Sequence, residues 1–450
     1  MKKLTVLLIM MLFFTQIAVF SAESIDKAIR TSRVNKSAVS VSLKDLKTGN
    51  SIYSLHALSP KNPASTQKLL TLAASLDTLG YDYVFSTELY KSKDNELYFK
   101  LAGDPYLTTK DLEAILEIAK SKNITEPKKV YIDDSVLDSD CWGEGWQWDD
   151  DLSPLMPKFG AYNLDKNLIK IVVKPTTPNS PADIYPEVFY PIGFVNLVTT
   201  GKENNIKISH NKSISTNLLE LDGTVRKYET ITIPVSNIKR YFRLRLEDAF
   251  NDSKVFYYGQ IYQKNLPSKD IYFVGKKEHS LIDAAADILQ KSNNMFAETV
   301  FKLAGGKYEN ATGSIQYAIS MLEEFCRKNG IRTEDVRIVD GSGVSKNNLV
   351  TADFMTDFLV AESKLEDFEK YKELMAKPGM GTLENRMLYF GDNLRAKTGT
   401  LSDESAIAGY IKTRNGHEYA FDIMVNDPKS NSTDKKMMEE LVLRAIYLDY

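Results

Sequence analysis

Apolar residues recur at helical spacing in two blocks of this chain, one before Gly80 and one after His279. Between the blocks they alternate in the manner of strands. That division constrains the fold more than any other feature. Ala38 to Leu55 reads as a hairpin turning at Thr48-Gly49-Asn50, and Ser65 to Leu79 as a helix stopped by Gly80. From about Phe85 the pattern changes. Glu88 to Leu101 alternates, Gly103-Asp104-Pro105 marks a turn, Asp111 to Lys120 reads as an amphipathic helix and Lys129 to Ile132 as a strand. Trp142, Trp146 and Trp148 cluster ahead of Asp149-Asp150-Asp151, and burial is the default expectation for such rings. Five prolines fall between Pro175 and Pro191, and Asn205 to Tyr262 shows short β-like runs with few helix signals. Helices return with Leu281 to Gln290, Met295 to Leu303 and Gly313 to Lys328. A hairpin of Ser405 to Thr413 and His417 to Val425 follows, around Asn415-Gly416, then a helix from Asp434 to Tyr447. The expected architecture is an α/β (α+β) domain built from 22–84 and 264–450. It carries a large, mostly β insertion at 85–263, divided into 85–175 with 246–263, and 176–245.

The totals exclude several classes. A net charge of -3 over 450 residues gives no basic surface for nucleic acid. The four histidines, at 56, 210, 279 and 417, show no His-Glu-x-x-His spacing, and no metal or cofactor motif stands out. Residues 1–21 read as a signal peptide: Lys2 and Lys3 precede a mostly apolar run from Leu4 to Phe20, with a cut expected ahead of Ala22. A retained signal anchor is the other reading of that run. Export places the chain in the periplasm or the extracytoplasmic cell-wall space. Cys141 and Cys326 fit either one bridge or two separate thiols, so stability must come from a packed core.

Ser65-Thr66-Gln67-Lys68 opens the first predicted helix, after Pro63. Positions i and i+3 share a helix face, so the Ser65 hydroxyl and the Lys68 amine can meet. A serine hydroxyl needs a neighbouring base, and a lysine serves only if burial or a nearby cation lowers its pKa. Ser-x-x-Lys alone is weak, for it recurs at Ser24, Ser209, Ser236 and Ser432. Two further motifs follow in order. Ser292-Asn293-Asn294 lies between predicted helices, and Lys397-Thr398-Gly399-Thr400 lies before the last hairpin. Both have decoys: Ser-x-Asn at Ser121, Ser209, Ser215 and Ser345, and Lys-Thr-Gly at Lys47, in a hairpin turn. Only one choice gives order and context together. Ser-x-x-Lys, Ser-Asp-Asn and Lys-Thr-Gly are the joint signature of class A β-lactamases and penicillin-binding proteins.

On these motifs the chain resembles the D-alanyl-D-alanine carboxypeptidases and endopeptidases of the penicillin-binding protein 4 (DacB) type. Gly103-Asp104-Pro105-Tyr106-Leu107-Thr108, Gly145-Trp146-Gln147-Trp148-Asp149-Asp150, Ser292 to Glu298, Asp340-Gly341-Ser342-Gly343, Gly381-Thr382-Leu383 and Arg395 to Leu401 follow in that family's order. Asn293 departs from the Asp of the signature. The resemblance implies a penicillin-binding or β-lactamase-like transpeptidase fold, an antiparallel sheet flanked by helices. It implies that Ser65 attacks the bond between two D-alanines, with Lys68 as base and Ser292 as proton relay. Asn294 would hold Lys68 and substrate, and Lys397, Thr398, Gly399 and Thr400 would hold the terminal carboxylate. The N–H groups of Ser65 and Thr400 would form the oxyanion hole, and Asp150 would reach the amino group of the stem peptide. Peptidoglycan stem peptides and cross-links are then the substrates, β-lactams the covalent inhibitors, and association with the wall or membrane is peripheral. Two rivals remain. A serine β-lactamase of this fold needs a deacylating water, for which no convincing Glu-x-x-Leu-Asn stretch exists. A weakly catalytic wall-binding or β-lactam-sensing protein needs no activated nucleophile.

Overall fold

The computed structural model describes residues 23–210 and 217–450; the expected signal peptide lies outside them. The chain divides into two compact units. One holds the chain up to Gly80, Ala285–Asn293 and Ile315–Tyr450, and the other Tyr81–Ala284 and Asn294–Ser314.

The first unit is built on a five-stranded antiparallel sheet in the order Leu394–Thr400, Glu404–Lys412, Glu418–Asn426, Val39–Asp45, Ser51–Leu55. Both expected hairpins are present, and Val39 pairs with Val425. Alternation sorts the strand Val39–Asp45 onto two faces. Val39, Val41 and Leu43 join Phe421, Ile423 and Val425 in one core, covered by Ile25 and Ile29 of the helix over 23–31 and by Met438, Val442 and Ile446 of the helix Ser432–Asp449. Each such side chain contributes about 1.5–3 kcal/mol by leaving water. On the other face, the Ser42 hydroxyl meets that of Thr356 at 2.7 Å, from the helix Ala352–Glu362. The helix Lys68–Leu79 packs beside Ile315–Lys328, and its Leu69 carbonyl accepts the Tyr371 hydroxyl at 2.8 Å.

The second unit holds a mixed five-stranded sheet in the order Ile261–Gln263, Lys129–Asp133, Glu96–Lys100, Val84–Ser92, Ile271–Ser280. The first three strands are parallel neighbours. Two three-stranded sheets lie within 168–234. The helix Thr109–Ser121 starts on a reciprocal cap between Thr108 and Asp111, and it packs against a second helix, Ile238–Ser253. Among the described residues, the β-like reading of 205–262 holds as far as Pro234 and fails in this helix. Ile238, Tyr241, Phe242, Leu246, Ala249 and Phe250 form one buried stripe at helical spacing behind the Asn237 cap. Aromatic and branched residues on that stripe mimic strand composition, and the period decides. The thiols of Cys141 and Cys326 are both free. Among the described residues no helix is long and apolar enough to cross a membrane.

Candidate active site

The nucleophile candidate is set by its approach. The Asn62 side chain accepts the Ala64 N–H at 2.8 Å and donates to the carbonyls of Ser345 and Asn348 at 2.8 and 3.2 Å. Ala64 is thereby held at φ +47°, a region that costs a residue with a side chain about 1–3 kcal/mol. A 3₁₀ turn over Ala64–Gln67 then runs into the α-helix Lys68–Leu79. Ser65 and Lys68 share a face, and the Lys68 Nζ donates to the Ser65 Oγ at 2.8 Å and to the Ser342 carbonyl at 2.6 Å. Lys68 is wholly buried, while Ser65 keeps 9% of its surface.

Beneath this helix lies a residue without an assigned role in the sequence reading. Asp340 is buried and accepts the N–H groups of Gly343 and Ser345 at 2.8 and 2.7 Å and the Asn348 amide at 2.9 Å. Its carboxylate also takes the Gln67 side chain at 3.1 Å. The loop so closed presents the Gly341 carbonyl to the Thr71 hydroxyl at 2.6 Å and the Ser342 carbonyl to Lys68. The Asp340-Gly341-Ser342-Gly343 motif was visible, but its partners lie some 270 positions away in the chain.

The strand Leu394–Thr400 supplies the second lysine. Lys397 is wholly buried and donates to the Ser292 Oγ at 2.8 Å and to the Thr398 carbonyl at 2.7 Å. Burial first, and then the charge of Lys68, holds the Lys397 amine well below the usual lysine range. Ser292 sits at φ +60°, in the turn after the helix Leu281–Gln290. Gly399 shows why this Lys-Thr-Gly ends in glycine. A Cβ there would stand 2.9 Å from the Ser65 nitrogen and 3.0 Å from the Pro63 carbonyl oxygen. Thr398 is nearly buried and Thr400 exposed. The first unit thus brings together Ser65, Lys68, Ser292, Lys397 and Gly399.

Asn294 and Asp150 belong to the second unit. Asn294 opens the helix Asn294–Glu309, and its amide donates to the Leu155 carbonyl at 2.8 Å. Asp150 opens a short 3₁₀ turn, Asp150–Leu152. Trp146 is buried between Trp142 and Phe159, whereas Trp148 is 71% exposed, so the expectation of a buried cluster fails for Trp148. Its neighbours Gln147 and Asp149 are exposed as well.

Comparison with known proteins places the chain in one family. A D-alanyl-D-alanine carboxypeptidase of Actinomadura sp. is 28% identical over 462 residues, covering 94% of this chain and 84% of the relative. The crystal structure of penicillin-binding protein 4 from Haemophilus influenzae superposes with a TM-score of 0.84 at 23% identity, over 94% of this chain and 99% of that one. A predatory endopeptidase of Bdellovibrio bacteriovorus shares the fold more distantly, with a TM-score of 0.53 at 15% identity, over 91% of this chain and 92% of that one. The family model described as D-Ala-D-Ala carboxypeptidase 3 (S13) matches residues 21–446. The chain belongs to that family, and is a serine-type D-Ala-D-Ala carboxypeptidase.

Proposed function

We propose that Ser65 is the nucleophile that opens the D-Ala–D-Ala bond of peptidoglycan stem peptides. The 2.8 Å hydrogen bond from Lys68 to Ser65 carries the reading. The Ser65 Oγ bonds to the carbonyl carbon as its proton passes to Lys68. The bond from that carbon to the leaving nitrogen then breaks, and the proton reaches the amine through Ser292. Water hydrolyses the ester and frees Ser65. The N–H groups of Ser65 and Thr400 hold the oxyanion, at roughly 3 to 4 kcal/mol per donor by analogy with other acyl-transfer sites. Lys397, Thr398 and Thr400 take the terminal carboxylate. An incoming carboxylate favours a protonated Lys397, which in turn favours a neutral Lys68. For Asn294 and Asp150 the roles rest on the resemblance alone.

The same chemistry extends to cross-links, where the leaving amine belongs to a second stem, and makes the protein a DD-endopeptidase. It extends also to β-lactams, whose amide mimics D-Ala–D-Ala. The leaving nitrogen of a β-lactam stays tethered to the acyl group and obstructs water, so the adduct persists. Export by residues 1–21 puts the protein in the periplasm or the extracytoplasmic wall space, in peripheral contact with wall or membrane. Intact-mass measurement after incubation with penicillin is expected to show one added drug mass, mapping to the peptide that contains Ser65. Ser65→Ala, folded by circular dichroism, is expected to show none. An adduct on another serine would refute the assignment.

A further inference from the structure

The second unit contains a cavity of about 620 Å³ that the chemistry above does not use. All of its lining residues belong to that unit. Residues just beyond the parallel strands Lys129–Asp133 and Ile261–Gln263 form part of its wall, and the start of the helix Ile238–Ser253 forms another. Ligands of α/β sheets collect beyond the carboxyl ends of parallel strands. The first N–H groups of a helix lack partners within it and carry partial positive charge. The volume falls in the range of small-molecule sites.

The charges around it are of both signs and unevenly matched. Asp138 is neutralised by the buried Lys302. Lys239 stands 3.8 Å from Asp134 and donates to the Gln263 side chain, whose amide donates to Asp134 at 2.8 Å. Lys158 has no carboxylate within ion-pair distance among the described residues; its ammonium lies 5.3 Å from the centre of the Trp142 ring. The lining itself carries Asp134 and Asp138 against Lys158 and Lys239, and of these Lys158 lacks a carboxylate at ion-pair distance among the described residues. The polar remainder is amides and hydroxyls, among them Asn265 and Ser139. The aromatic lining offers no open ring face on which a sugar could stack, since Phe159 and Tyr162 are only 3% and 5% exposed.

We propose that this cavity is a second peptidoglycan subsite, taking a short peptide with a free carboxylate, such as a stem already trimmed of its D-alanines. The carboxylate sits on Lys158, and the backbone amides meet the side chains of Gln263 and Asn265. The inference rests on the peptidoglycan reading above.

Cys141 lines the cavity and provides the readout. Burial raises both thiols, that of Cys326 up to about 12, so labelling at Cys141 is followed by peptide mapping. The full chain is first acylated with penicillin, which occupies Ser65, then titrated with a stem tripeptide during iodoacetamide labelling. Saturable slowing of Cys141 alkylation, by several-fold, is expected. Lys158→Ala is expected to raise the half-protecting concentration about tenfold, the loss of one charge-assisted hydrogen bond. Ser139→Trp, which places an indole at the exposed rim of the cavity, is expected to weaken protection in a protein that still folds and still takes up penicillin. No protection at ~10 mM peptide would overturn the proposal. So would protection unchanged in both variants, or equal protection by N-acetylmuramic acid. Failure to form the penicillin adduct would instead count against the Ser65 assignment.

Discussion

Lys68 and Lys397 are both buried amines; burial first, and then the charge of Lys68, lowers the Lys397 pKa, so two protons on the pair are unfavourable. Acylation requires the base to be neutral, so its rate is expected to rise with pH through the apparent pKa of the pair and then level off. Lys68→Arg keeps a cation and cannot deprotonate, so it is expected to acylate at least about 100-fold more slowly. Stopped-flow measurement with a chromogenic β-lactam between pH 6 and 10 checks both. Retention of most activity in Lys68→Arg would remove Lys68 as the base. The residues of this pair were legible in the sequence because each sits in a short motif of recognisable order. Asp340 was not. It donates nothing to chemistry and acts by gathering backbone N–H groups, and no local spacing announces that role.

At the scale of elements, two Lys-Thr-Gly runs give a built-in comparison. Gly49 ends a hairpin turn at φ +74°, with the nearest side chain 3.5 Å from a notional Cβ. Gly399 lies on a strand pressed against the Ser65 backbone. Gly399→Ala is expected to cost about 1–3 kcal/mol and to slow acylation at least about tenfold, because the strand and the nucleophile must separate. Gly49→Ala is expected to cost about 1 kcal/mol through its backbone angle and to leave acylation unchanged. Thermal melts and penicillin acylation rates on both variants decide. The elements that sequence reading found were those with one clear period and a punctuating residue, such as the helix ended by Gly80. The helix Ile238–Ser253 escaped because its buried stripe uses Tyr, Phe and Ile, residues also favoured in strands.

For the whole molecule, buried acids shape stability against pH. Burial, and then the charges of Asp77 and Asp367, push the Glu362 carboxyl up to about 7. An acid whose pKa is raised on folding binds more protons in the native state between its unfolded value, near 4.5, and about 7. The contribution of this group to stability therefore falls as pH rises across that window, by an amount of the order of 3 kcal/mol, and is flat above it. Glu362→Gln is expected to reduce the slope by this contribution, so that its melting temperature relative to the parent is higher at pH 8 than at pH 5. Calorimetry at the two pH values tests this. The strand order of the first unit has a further consequence, for synthesis. Val39–Asp45 pairs on one side with its hairpin neighbour, but its other partner is Glu418–Asn426. A ribosome adding about 5–20 residues per second reaches Val425 roughly 20 to 80 s after Val39. Throughout that interval the nascent chain carries an unpaired apolar strand edge, the element most open to wrong pairing. A chain released before Glu418 never acquires the strand that closes it.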